Sequence, residues 1–220
     1  MSRPALDSAL DRAELGTREL EELVVDAVRR AMIALRAQDR GLAERVIRDD
    51  AIVDAKRYAI EEEAVGTLAT QEPVAQDLRL LVAILNVIVD LERIADHAEG
   101  IAKIVLRLGE PLQKLPPDLS VMAEIATSMV EGAMAAFLAR DVEQARRVAE
   151  RDNEVDALME GVSSDRIASM LRNPSSAARA TYLIWVAHDL ERIADRATNI
   201  CERVVYLVTG ETREINVSRH

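Results

Sequence analysis

The sequence is poor in aromatic, glycine, proline and cysteine residues. Aromatic side chains make up 2% of its 220 residues, and it holds only 8 glycines, 6 prolines and one cysteine. The lone cysteine, Cys201, excludes an internal disulfide, fits a reducing compartment and is most simply a small core residue. Alanine, leucine, valine, isoleucine, glutamate and arginine dominate, and helices tolerate or favour most of these. The composition, 49% hydrophobic, predicts a folded all-α protein.

Positive charge and long apolar runs are scarce as well. The 39 acidic residues outnumber the 28 basic ones, and the formal net charge of −11 would repel a nucleic acid. The most apolar stretch, residues 78–91, is shorter than the ~20 residues a bilayer needs and is interrupted by Asn86 and Asp90. The first residues, Met-Ser-Arg-Pro, lack the apolar run of a secretion signal. We expect a cytoplasmic protein with no nucleic-acid partner and no membrane span.

Several catalytic motifs are absent. There is no Gly-x-x-x-x-Gly-Lys-Ser/Thr loop for nucleotide phosphates, and no Ser-His-Asp or Cys-His arrangement is suggested. The Glu-x-x-His spacing of oxygen-activating di-iron bundles does not follow the glutamates of interest below. These absences argue against a nucleotide-driven motor, and they weaken an oxidase interpretation without excluding it.

Breaker residues cluster at one place in the chain interior, around residues 109–118. We place the domain boundary there, between a first unit, residues 1–110, and a second, residues 111–220. Helical periodicity predicts three helices in each unit. Their predicted ranges are 7–37, 40–70 and 73–108, with Pro73 as an early-helix proline, followed by 119–140, 142–171 and 175–208.

The two units carry the same sequence landmarks. The heptapeptide Asp-Leu-Glu-Arg-Ile-Ala-Asp occurs at residues 90–96 and again at residues 189–195. Asp50 and Asp54 recur as Asp152 and Asp156 at nearly the same offset. The chain is thus a tandem duplication, and short turns between long helices predict two elongated, antiparallel three-helix bundles.

Pairs of acidic residues four positions apart mark both repeats. Glu92 and Asp96 point to one side of their helix, as Asp50 and Asp54 do on the preceding helix. Such like-charged pairs destabilise a helix unless a positive charge lies between them, and the stripe that leads to Glu92 is otherwise apolar. We therefore predict one metal site in each repeat. The predicted ligands are Asp50, Asp54, Glu92 and Asp96 in the first repeat and Asp152, Asp156, Glu191 and Asp195 in the second.

The sequence does not determine which metal binds or which further residues act as ligands. Oxygen ligands suit Mg²⁺, Ca²⁺, Mn²⁺ and ferric iron, whereas zinc more often takes histidine or cysteine. Glu99, Glu202 and His188 are secondary candidates, although His188 corresponds to a valine in the first repeat and His97 is expected on the helix surface. The alternative to metal is a network of salt bridges, for which the nearby bases are Arg93, Arg192, Arg57 and Arg79.

The heptapeptides and their surroundings are similar to the signature of the PhoU family. The resemblance is closer still in the run from residue 195 to residue 202, and it extends to residues 71–79 and to the two-repeat layout. It covers about residues 7–211. Two departures stand out: valine precedes Asp54 and Asp156 where the family often has isoleucine, and the first repeat has Glu99 and Gly100 where the second has Thr198 and Asn199.

The resemblance implies a cytoplasmic regulator that is not an enzyme and that binds metal, iron among the candidates, through the Glu/Asp-x-x-x-Asp motifs. It further implies that the protein restrains phosphate uptake and phosphate-starvation signalling by binding the ATPase subunit of the phosphate ABC transporter and a phosphate sensor histidine kinase. An elongated bundle with apolar patches would also allow a homodimer. Two alternatives remain: a metal-carboxylate oxidoreductase or ferritin-like protein, and a helical scaffold whose acids form only salt bridges.

Overall fold

The structure, a computed structural model, describes residues 4–108 and 115–211. These residues form seven α-helices and one short 3-10 helix, and they contain no strand. The helices are α1 (Pro4–Ala37), α2 (Arg40–Gln71), α3 (Gln76–Arg107), α4 (Pro117–Ala139), α5 (Val142–Glu150), α6 (Asp152–Arg172) and α7 (Ala177–Thr209), and the 3-10 helix spans Pro174–Ser176.

The first turn of each repeat shows how the sequence sets the helix ends. Gln38 and Arg140 both have a left-handed backbone, with φ of 55° and 57°. The residue that follows each of them, Asp39 or Asp141, accepts a hydrogen bond from the backbone N–H three positions on, at 2.9 Å in both cases. An aspartate in this position satisfies an N–H that a helix leaves without a partner. The same turn therefore starts the second helix of both repeats.

The predicted all-α fold of two repeats is confirmed, with three local differences. Pro73 lies in the loop between α2 and α3 rather than inside the helix, because α2 ends at Gln71 and α3 begins at Gln76. The predicted helix 142–171 is divided at Arg151 into α5 and α6, and the last helix begins after a 3-10 turn. The predicted domain boundary at residues 110 and 111 lies outside the described residues.

Helices α3 and α7 pack against each other at the centre of the molecule. α1 and α2 pack on α3, and α4, α5 and α6 pack on α7, so that each repeat contributes one bundle. α3 and α7 run antiparallel, because contacts join residue 90 to residues 196 and 199 and residue 97 to residue 189. Apolar stripes at helical spacing fill the core, as in α1, where Leu20, Val24, Val28 and Leu35 are fully or almost fully buried.

Helix α4 is the one described helix whose length and apolar composition would suit a membrane span. Of its most apolar window, 56% is buried inside the bundle. The core helix of a globular protein has the same character, so the burial of α4 accounts for its composition.

Candidate functional site

The first acidic cluster lies between α2 and α3. Asp50 and Asp54 stand on α2, and Glu92, Asp96 and Glu99 stand on α3. Burial, followed by the negative charges of Glu99, Asp54, Asp96 and Glu92, raises the pKa of Asp50 from 3.8 to about 6. The four predicted ligands of the first repeat are thus close enough to repel one another, and Glu99, a secondary candidate, joins them.

Glu92 and Asp96 lie at the edge of the core rather than inside it. Their side chains are 21% and 39% exposed, so the apolar stripe that leads to Glu92 ends in acids that solvent reaches in part. The pKa of Glu92 is raised, first by burial and then by the charge of Asp96, while the positive charges of Arg93 and Arg57 oppose that rise. The cluster therefore carries more negative charge than the neighbouring bases neutralise.

Basic side chains on α3 pair with part of this cluster. Arg93 donates a hydrogen bond to Asp96 at 3.0 Å, and it lies 3.5 Å from the Glu92 carboxylate. Lys103 pairs with Glu99 one turn away. Of the other bases in the salt-bridge alternative, Arg57 pairs with Glu61 outside the cluster. Salt bridges within one helix thus satisfy some of the acids, and Asp50 and Asp54 face them from α2.

The corresponding acids of the second repeat, here called the second cluster, stand on α6 and α7, which pack on each other, and they are less exposed than those of the first. Asp152 is the first residue of α6, is 2% exposed and is followed one turn later by Asp156. On α7, Arg192 donates a hydrogen bond to Asp195 at 2.8 Å, and Glu191 lies one turn before Asp195. The break between α5 and α6 comes immediately before Asp152, whereas α2 runs on without a break past Asp50.

The secondary candidates of the second repeat divide by their exposure. Glu202 is largely buried, and its carboxylate lies 3.6 Å from Arg203. His188 is exposed on α7, as a polar surface residue would be. The expectation that His97 is a surface residue is wrong, since its Nδ1 lies 3.1 Å from an oxygen of Asp189.

The donor atoms of both clusters suit a hard cation, but the side chains are not arranged around a common centre. Among the described residues, no three acidic, histidine or cysteine side chains stand close enough to hold one ion. Asp96 and Asp195 instead turn towards an arginine on their own helix. A cation would relieve the repulsion that raises the pKa of Asp50, and these two side chains would have to turn from arginine to the ion. The residues fit Mg²⁺, Mn²⁺, Ca²⁺ or ferric iron in the kind of donor atom that they supply.

The first aspartate of each heptapeptide has a different role, which the sequence reasoning missed. Asp90 is 9% exposed, and it accepts hydrogen bonds across the α3–α7 interface from Asn199 at 3.2 Å and from Arg196 at 3.4 Å. Burial raises the pKa of Asp90, against the opposing effects of Asn199 and Arg196. Asp90 therefore joins the two repeats rather than facing the cluster of its own repeat.

Asp189 makes the matching contact in the opposite direction. It meets His97, and it packs so closely on Gly100 that a Cβ atom there would lie 3.1 Å from a carboxylate oxygen. His97 and Gly100 precede Arg196 and Asn199 by the same 99 positions that separate the two heptapeptides. The sequence signal for this role is that both copies of the heptapeptide have an aspartate at the first position.

Comparison with known proteins places these features in one family. Residues 17–105 and 119–204 each match the model of the PhoU domain. The chain is 32% identical over 218 residues to the phosphate-specific transport system accessory protein PhoU homolog of Clostridium acetobutylicum, an alignment that covers 98% of this chain and 100% of that protein. It is 36% identical over 194 residues to the homolog of the same description from Aquifex aeolicus, with 88% of each chain covered.

Solved structures agree with the sequence matches. The crystal structure of the phosphate transport system regulatory protein PhoU from Streptococcus pneumoniae superposes with a TM-score of 0.89 at 33% identity, covering 94% of this chain and 99% of that one. The crystal structure of PhoU from Pseudomonas aeruginosa gives 0.88 at 33% identity, covering 93% and 99%.

Proposed function

The chain belongs to the PhoU family, and from this membership we propose that it represses phosphate uptake and phosphate-starvation signalling when phosphate is plentiful. The observation that carries the proposal is the near full-length match to accessory proteins of the phosphate-specific transport system. The relatives are named as accessory or regulatory proteins rather than as enzymes.

Two protein partners follow from this role. We propose that the chain acts in the cytoplasm and binds the ATPase subunit of the phosphate ABC transporter and a phosphate sensor histidine kinase. The long helices α1, α2, α3 and α7 offer extended faces for such partners. Binding to the transporter would limit uptake directly, and binding to the kinase would hold it in its signalling-off state.

Cation binding by the two acidic clusters is the second part of the proposal. Its support is the crowding of Asp50, Asp54, Glu92, Asp96 and Glu99, whose mutual repulsion a bound cation would remove. A bound cation stabilises the folded state over the unfolded chain by mass action, and it changes the charge of two faces of the bundle. Both effects suit a regulator whose partners recognise the charge of its surface.

Deletion of the gene tests the regulatory role. A reporter for phosphate-starvation genes is expected to stay on in phosphate-rich medium in the deletion strain, and expression of the intact chain is expected to switch it off. Affinity capture at high phosphate is expected to recover the transporter ATPase and the kinase. A deletion strain that represses its reporter normally in phosphate-rich medium would refute this role, whatever the chain binds.

A further inference from the structure

The two acidic clusters differ at one central position. Glu99 lies three residues after Asp96 and contributes a carboxylate to the first cluster, as its effect on the pKa of Asp50 shows. The residue 99 positions later, three after Asp195, is Thr198. A neutral hydroxyl therefore replaces a carboxylate in the second cluster, while Glu202 adds a carboxylate where the first repeat has Lys103.

Thr198 carries a buried hydroxyl without a hydrogen-bond partner among the described residues. The residue is 7% exposed, and its Oγ1 is fully enclosed. Other helical threonines, such as Thr17, Thr181 and Thr209, donate to the carbonyl oxygen four residues earlier. That acceptor is available to any helical threonine, and a buried hydroxyl left without a partner costs about 1–3 kcal/mol.

The position of Thr198 on α7 directs it towards the second cluster. It follows Glu191 by seven residues, or about two helical turns, and so lies on the same side of the helix. Asn199, the next residue, is rotated by ~100° and reaches Asp90 on the other repeat instead. The unused hydroxyl of Thr198 thus lies in the row on α7 that also holds Glu191, Asp195 and Glu202.

The two clusters also differ in their access to solvent. Asp152 is 2% exposed, whereas its counterpart Asp50 is partly buried and borders a cavity of about 230 Å³ that Asp49 and Arg30 also line. In the first cluster Glu99 pairs with Lys103, whose side chain is 48% exposed. Water and chelators can therefore approach the first cluster more easily than the second.

Resting on the cation binding proposed above, we propose that the clusters are two unequal sites: the α2–α3 cluster exchanges its cation readily, whereas the enclosed α6–α7 cluster retains its cation and uses the Thr198 hydroxyl as an additional oxygen ligand. A bound cation gives that hydroxyl the polar partner that the protein does not supply. Enclosure and ligand number control how easily water displaces a ligand from a metal. The second cation would act as a lasting part of the fold, and the first would respond to the cation concentration around the protein.

Release of Mn²⁺ from the full chain tests this inequality. Protein loaded with Mn²⁺ alone is mixed with excess chelator, and free metal is followed with time. We expect two phases, with the slow one roughly tenfold or more slower than the fast one. Asp54→Asn is expected to remove the fast phase and Asp156→Asn the slow phase.

The substitutions Thr198→Val and Thr198→Ser distinguish a role of Thr198 as a metal ligand from a role in packing. Valine keeps the shape but lacks the hydroxyl, so it is expected to accelerate the slow phase roughly tenfold without lowering the melting temperature of the metal-free protein. Serine restores a hydroxyl and is expected to restore slow release. The matched substitution Thr181→Val, on the same helix outside the cluster, should leave both phases unchanged.

The outcomes distinguish failure of this inference from failure of cation binding itself. If equilibrium dialysis finds no Mn²⁺ bound to the wild-type chain, the proposed cation binding fails and the inequality fails with it. If Mn²⁺ binds but leaves in one phase, or if Thr198→Val releases it as slowly as the wild type, cation binding stands and the inequality is wrong.

Discussion

Replacing Asp50 with asparagine should stabilise the metal-free protein at neutral pH, although it removes a predicted metal ligand. The fold raises the pKa of Asp50 from 3.8 to about 6, through burial and four neighbouring carboxylates. Above pH ~6 the side chain is therefore charged in both the folded and the unfolded state. Only in the folded state is that charge partly buried beside other carboxylates, which lowers the free energy of unfolding. Asparagine keeps nearly the same shape and removes that charge.

The size of the effect follows from the pKa. At 1.36 kcal/mol for each tenfold change in the protonation equilibrium, the difference between 3.8 and about 6 sets an upper limit of ~3 kcal/mol. Because Asp50 is only partly buried, solvent screening reduces the expected gain to roughly 1 kcal/mol. Between about pH 6 and pH 4 the folded protein takes up a proton that the unfolded chain does not. Its stability therefore rises as the pH falls, and the advantage of Asp50→Asn shrinks to zero.

Urea unfolding followed by far-UV circular dichroism, in the presence of a chelator, measures this difference across pH. Asp165→Asn is the matched control, since Asp165 is exposed on α6 and away from the cluster. Saturating Mn²⁺ should reverse the order, because the cation stabilises the wild type by mass action and binds Asp50→Asn less well. If Asp50→Asn lowers the free energy of unfolding in chelator at every pH, the carboxylates of this cluster do not repel one another as argued.

Three further predictions concern packing, the interface and chemistry. Gly132→Ala should lower the free energy of unfolding by about 1–3 kcal/mol, because its Cβ would lie 2.9 Å from Val148. Gly66→Ala should raise the free energy of unfolding by up to ~1 kcal/mol, because no atom lies within 4 Å of the added Cβ. Equal urea midpoints for the two variants would contradict this. Asp90→Ala should cost about 1–3 kcal/mol by the same assay because Asn199 loses its acceptor, and a neutral result would show that the contact between repeats contributes nothing. Iron-loaded protein should consume no oxygen in an oxygen electrode, and steady uptake would favour a metal-carboxylate oxidoreductase instead.

Local patterns in the sequence were sufficient to predict the helices and the duplication. The repeated heptapeptide, the acidic pairs and the Gly/Pro cluster each act through neighbours in the chain, so periodicity captured them. Arg151, where the fifth predicted helix divides, carries no breaker residue on either side, and Pro73 suits a loop as well as a first helical turn. These details depend on packing against other helices, and the helix propensity of a single residue does not describe that packing.

Local sequence patterns could not predict the contacts between repeats, because these contacts join residues that are far apart in the chain. His97 has no special pattern around it, and its contact with Asp189 spans 92 positions of the chain. The burial of Thr198 depends equally on how other helices pack on α7, whereas its sequence context shows only that it replaces a glutamate. The sequence shows that the repeats differ at these positions, and the fold shows what each difference touches.

The antiparallel packing of α3 on α7 explains why the same heptapeptide serves both repeats. Its first aspartate and its glutamate are two positions apart, so on a helix they point about 200° away from each other. Asp90 can therefore reach the opposite repeat while Glu92 faces α2 of its own repeat, and Asp189 reaches the first repeat in the same way. A substitution at the first position should consequently disturb the contact between repeats and leave cation binding intact, whereas one at the third should do the opposite. The heptapeptide thus combines an interface residue and cluster residues within two turns of helix, and the near two-fold arrangement of α3 and α7 makes each copy use both.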